Sequence, residues 1–180
     1  EDANWIRYDI IRSFDRPLIN AEVVSQMNIS LATELDWQLY KLQRKYLDYQ
    51  VNIGNRMIEV LQKGGATAGE EAQKLSEPKK RFQDVIDALF ADTGKKIVRT
   101  DNEISFSQMG ETLVPYQLSS GEKQILAILL TVLVEDQKPY VLFMDEPFAA
   151  LDAITREEMQ DVFLALWQAQ HVTTLLVTHY

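Results

Sequence analysis

Leu118-Ser119-Ser120-Gly121-Glu122-Lys123-Gln124 runs without a break into Ile125-Leu126-Ala127-Ile128-Leu129-Leu130, and this junction decides the fold. A polar pair and a glycine directly ahead of an apolar run read as a loop that opens a helix. The free backbone N–H groups and the dipole at a helix start favour an anion. Ser119 or Ser120 caps the helix or hydrogen-bonds a phosphate, and Gly121 lets the backbone approach closely. The simpler alternative is an ordinary serine N-cap with no ligand. The apolar run from Ile125 to Val134 is ten residues, too short to span a membrane, so a buried helix is expected.

Downstream, Tyr140-Val141-Leu142-Phe143-Met144 is a continuous apolar run behind Pro139, as a parallel strand buried on both faces requires. Asp145 and Glu146 fall at its C-terminal end, where open α/β sheets place their ligands. Adjacent carboxylates there suit two jobs. Asp145 holds Mg²⁺, directly or through water, and Glu146 polarises an attacking water. The alternative is a polar strand end facing solvent. Val172 to Val177 is the next buried strand, expected beside Tyr140–Met144 and parallel to it, and it delivers His179 to the same edge. His179 either donates a hydrogen bond to a transferring phosphoryl group or is a satisfied structural histidine. Asp152 suits the N-cap of a helix from about Ala153 to Ala169.

Upstream, Trp5 to Ile11 reads as a strand, broken by the loop Ser13-Phe14-Asp15-Arg16-Pro17. From Leu31 to Lys63, Leu35, Leu39, Leu42, Tyr46, Tyr49 and Ile53 follow alternating steps of four and three, a heptad stripe. One long helix is expected there, pairing with a second helical segment over Glu70–Phe90 and lying away from the ligand edge. Gly64 to Gly69 is the turn between them, and Pro78 suits the first turn of a further helix that Gly94 closes. Ile97-Val98 and Ile104 with Phe106 flank Asp101-Asn102, a hairpin signal.

Composition bounds the function classes. Apolar content of 46% and charged content of 25% are those of a globular chain that buries a sizeable core. Net charge −9 argues against a surface that coats nucleic acid generally, though a local basic patch stays open. The chain has no cysteine, which removes disulfides and thiol chemistry and fits the cytosol. No signal peptide or transmembrane run is visible, so a membrane role needs a partner subunit.

Taken in order, the loop Leu118–Gln124, then Asp145-Glu146-Pro147, Ala150-Leu151-Asp152 and Thr178-His179-Tyr180 resemble the C-terminal half of an ABC-superfamily ATPase. The resemblance implies an α/β fold: part of a P-loop NTPase-like parallel sheet with a long helical insertion. Residues 1–20 are then a sheet-edge strand and loop, 21–95 the insertion and 96–180 half of the ATPase core. It implies ATP and Mg²⁺ as cofactors, Glu146 and His179 as catalytic residues and Asp145 as metal ligand. Leu118, Ser119, Ser120, Gly121, Glu122 and Asp152 face nucleotide or cross a head-to-tail interface with a second ATPase subunit, identical or paralogous. Residues 148–179 look like the ATPase subunit of nitrate, sulfonate or taurine importers, which implies a membrane permease partner. The location is then cytoplasmic and peripheral to the inner membrane. Residues 1–147 are similar to soluble recombination-repair and phage-defence ATPases, which implies DNA as a partner. A P-loop needs Gly, four residues, then Gly-Lys-Ser/Thr. Gly94-Lys95 is the one Gly-Lys pair, with Leu89 and Lys96 at the other required positions, so it fails. The chain is therefore expected to be a fragment that starts after that loop, and nucleotide incompetence on its own is a third expectation.

Overall fold

The computed structural model describes residues 7–12, 31–135, 140–145, 153, 156–157, 159–161, 163–164 and 173–177. Helix α1 (Glu34–Lys63) starts one turn later than the apolar pattern, because Thr33 and Asp36 close a reciprocal cap. Thr33 Oγ1 accepts from the Asp36 N–H at 3.2 Å, and Asp36 Oδ2 accepts from the Thr33 N–H at 3.2 Å. The heptad stripe is the buried face: Leu35, Leu39, Leu42, Tyr46 and Tyr49 are all inside.

Helix α2 (Ala68–Leu89) returns alongside α1, with Phe82 tilted against Tyr46 at a ring separation of 6.4 Å. Pro78 corrects one expectation. It lies inside α2 and begins no further helix. Its ring removes a backbone donor, but Ala72, Phe82 and Ile86 keep one buried face across it, so packing outweighs the local cost. A short 3₁₀ turn, Ala91–Thr93, follows, and Gly94 closes that turn at φ 69° rather than closing the helix itself.

Three short antiparallel strands come next: β2 (Lys96–Ile97), β3 (Phe106–Gln108) and β4 (Glu111–Leu113). The pairing of β2 with β3 is the expected hairpin. The third strand was not anticipated. Its turn is Met109-Gly110, both at positive φ (50° and 87°), and a methionine hides the Asn-Gly or Asp-Gly signal such turns usually show.

Helix α3 (Ser120–Val134) is the centre of the molecule, with every residue from Glu122 to Leu133 buried. It shares one core with α1, α2, the small sheet, Met144 and Met159. Helix α1 packs along α3, with Asp36 paired to Lys123 and Lys45 to Glu135. The second sheet is parallel: β1 (Arg7–Arg12), β5 (Tyr140–Asp145) and β6 (Thr173–Val177), in the order β1-β5-β6. The two downstream apolar runs are thus parallel neighbours, with Asp145 level with Val177 on one side and Arg12 on the other. Every described residue from 153 to 164 is helical.

Candidate functional site: the loop ahead of α3 and the strand ends

The loop is built from both sides. A 3₁₀ turn, Pro115–Gln117, delivers the chain to Leu118, which is buried and seals the loop to the core. Ser119 is extended (φ −64°, ψ 159°) and is the N-cap of α3. Ser119 and Ser120 are exposed and Gly121 half-buried. Ser120 and Gly121 hold the first two helical positions, whose N–H groups have no acceptor within the helix. The loop therefore offers the exposed Ser120 hydroxyl and the Ser120 and Gly121 backbone donors at the positive end of a fifteen-residue helix, while the Ser119 hydroxyl is engaged by Glu122.

Glu122 fastens this loop. Its Oε2 accepts from the Ser119 N–H at 2.9 Å and the Ser119 hydroxyl at 3.0 Å. Its Oε1 accepts from Thr93 Oγ1 at 2.9 Å and Lys95 Nζ at 2.8 Å. Burial works against the carboxylate charge, but hydrogen bonds from Lys95, Ser119 and Thr93 outweigh it. They hold the carboxyl below the ordinary glutamate range. The next residue, Lys123, is also buried and pairs with Asp36 Oδ1 at 2.8 Å. Sequence reasoning missed Thr93, Lys95 and Asp36 as parts of the site. Thr33-x-x-Asp36 was legible as a helix-start pattern, but nothing local ties Asp36 or Lys95 to the loop.

Asp145 is the last residue of β5, at the shared C-terminal edge of the parallel sheet. Glu146, Asp152 and His179 lie outside the described residues. Glu146 follows Asp145 directly, and His179 lies two positions past Val177, the end of β6.

The aliphatic sulfonates import ATP-binding protein SsuB of Bacillus subtilis is 48% identical over 69 residues, 38% of this chain and 26% of that protein. The nitrate import ATP-binding protein NrtD of Synechococcus elongatus is 48% identical over 65 residues, 36% of this chain and 23% of that protein. The chain thus spans about a quarter of the length of these relatives. Over that segment it is similar to ATP-binding subunits of ABC importers, and the resemblance to ABC-superfamily ATPases holds. Among solved structures, the Smc head domain with an extended coiled coil from Pyrococcus furiosus, bound to the C-terminal domain of ScpA, matches with a TM-score of 0.38 and 13% identity. That match covers 88% of this chain and 47% of that one. No protein-family model matches the chain.

Proposed function

We propose that this chain is part of an ATP-binding and ATP-hydrolysing domain of ABC-superfamily type that works as a head-to-tail dimer. The observation that carries it is the open start of α3. The exposed Ser120 hydroxyl and the Ser120 and Gly121 N–H groups open the start of a helix that is buried from Glu122 to Leu133, an arrangement suited to a phosphate. In this reading Ser119 to Gly121 face the nucleotide held by the partner subunit, and the buried Leu118 and Glu122 hold them in place from behind. Asp145, a hard oxygen donor at the strand end, suits Mg²⁺, with Glu146 as base, His179 on the γ-phosphate side and Asp152 at the interface. The ATP cradle itself is expected outside residues 1–180, since Gly94-Lys95 does not supply it.

A second reading is supported by the 48% identity to the sulfonate and nitrate import ATP-binding proteins. The domain then drives an importer from the cytoplasmic face, with a membrane permease as partner. Among the described residues no helix is long and apolar enough to cross a membrane. Co-purification of the full-length protein with membranes supports this reading. ATPase activity stimulated by DNA in a soluble dimer supports the repair-type role instead.

The dimer is tested on full-length Glu146→Gln protein by light scattering with and without Mg-ATP. An ATP-dependent dimer that Ser120→Arg abolishes, while subunit ATP affinity is kept, is the expected result. A monomer at all ATP concentrations with undiminished hydrolysis overturns the reading.

A further inference from the structure

The first turn of α3 carries two buried side chains of opposite charge on consecutive residues, and each reaches a different root of the α1–α2 hairpin. Glu122 reaches the outgoing root through Thr93 and Lys95, which follow α2. Lys123 reaches the incoming root through Asp36, which also caps the start of α1 by accepting from the Ala32 and Thr33 N–H groups. Successive residues of a helix point about 100° apart. Neighbours in sequence can therefore hold elements on two sides.

We infer that Lys95 with Glu122, and Asp36 with Lys123, are paired latches that set the orientation of Ser119 and the open start of α3 from both roots of the hairpin. The inference rests on the nucleotide-facing reading of that loop and assigns Glu122 a role towards the loop rather than towards nucleotide.

Three observations carry it. Both Glu122 oxygens are occupied by internal donors, and its side chain is 9% exposed against 13% for Lys95, so no side is left for a ligand. The same carboxylate grips Ser119 through both backbone N–H and hydroxyl, so a shift of Lys95 is transmitted to the serine through one rigid group. The Asp36–Lys123 pair is equally enclosed, at 3% and 11%. Buried ion pairs are poor devices for stability alone, because apolar residues of similar size hold helices together as well or better. What they add is direction: charge-assisted hydrogen bonds fix both distance and angle.

The test uses the full-length protein and the variants Lys95→Met, Lys95→Arg, Asp36→Asn and Ser120→Arg, with Mg-ATP as the probe. Lys95→Met is expected to lower kcat by about tenfold, the scale of a reacting group misplaced by a fraction of an ångström. Its ATP affinity should stay within about twofold of the parent, and Lys95→Arg should recover most of kcat, since the guanidinium remains a charged donor to the Glu122 carboxylate. The acid limb of the kcat–pH profile should move to higher pH in Lys95→Met, because a hydrogen bond that favours the Glu122 carboxylate is lost. Asp36→Asn should show the same kcat loss without change in affinity, and it serves as the second route if Lys95→Met does not fold. Parent-like kcat in both Lys95→Met and Asp36→Asn overturns the latches, as does a loss of ATP affinity equal to the loss of kcat. Ser120→Arg separates the two levels. If it abolishes turnover while the latch variants stay active, only the latches fall. If it leaves turnover intact, the nucleotide-facing reading falls and the latches fall with it.

Discussion

Gln43 offers the sharpest test of the packing. It sits in the middle of the buried face of α1, and its side-chain amide meets one residue of the β2–β3 connection twice. Gln43 Nε2 donates to the Ile104 carbonyl at 3.0 Å, and Gln43 Oε1 accepts from the Ile104 N–H at 2.9 Å. Gln43 is 5% and Ile104 2% exposed, so water cannot replace either bond. Gln43→Met keeps the length and apolar bulk but strands both backbone groups. A buried donor or acceptor left without a partner costs about 1–3 kcal/mol, so two give roughly 2–6 kcal/mol. For a chain of this size that is a fall in Tm of roughly 5–20 °C. Urea unfolding followed by circular dichroism measures it, with an unchanged m-value showing that the unfolded state is not the cause. Hydrogen exchange at the Ile104 amide should accelerate at the same time. A loss under about 1 kcal/mol with normal Ile104 protection would refute the assignment of this clasp.

Three further outcomes are expected. In the intact protein Glu146→Gln should still bind Mg-ATP but turn over roughly a hundredfold more slowly, the scale of a lost positioned base, while Asp145→Asn should weaken the Mg²⁺ dependence of binding. Steady-state rates across Mg²⁺ titrations check both, and parent-like turnover in Glu146→Gln removes it as the base. The stability that Glu122 gives is fully present above the ordinary glutamate pKa and is lost as pH falls through its lowered folded value, because the unfolded chain takes up the proton first. The Tm of the parent should therefore drop more steeply below about pH 4.5 than that of Glu122→Gln, and parallel Tm–pH curves contradict the latch chemistry. Residues 1–180 alone should bind ATP weakly, since each missing charge-assisted hydrogen bond of a phosphate cradle is worth about 1.5–3 kcal/mol. Micromolar affinity by calorimetry runs against this.

Much of the architecture follows from local patterns. Steps of four and three from Leu35 to Tyr49 give a helix with one buried stripe whatever it packs against, since 3.6 residues per turn put those positions on one face. The apolar runs around Val141 and Leu175 give strands, and the helical stretch between them leaves room for a parallel pairing. Ser119 to Gly121 ahead of an apolar decamer gives a capped helix with an open start, which is the candidate site in outline. Local pattern was silent, or wrong, where distant packing decides. Pro78 continues its helix because residues on either side of it share a buried face. The β3–β4 turn carries no local signal because Met109 takes a left-handed conformation that its side chain does not favour. The sequence by itself thus determined a hairpin of helices, a parallel strand pair and a capped helix start. Only the tertiary structure decided that Asp36, Thr93 and Lys95 meet Glu122 and Lys123. Periodicity fixes which face of an element is buried. It carries no information on which distant ends come together, and these ion pairs depend on that placement alone.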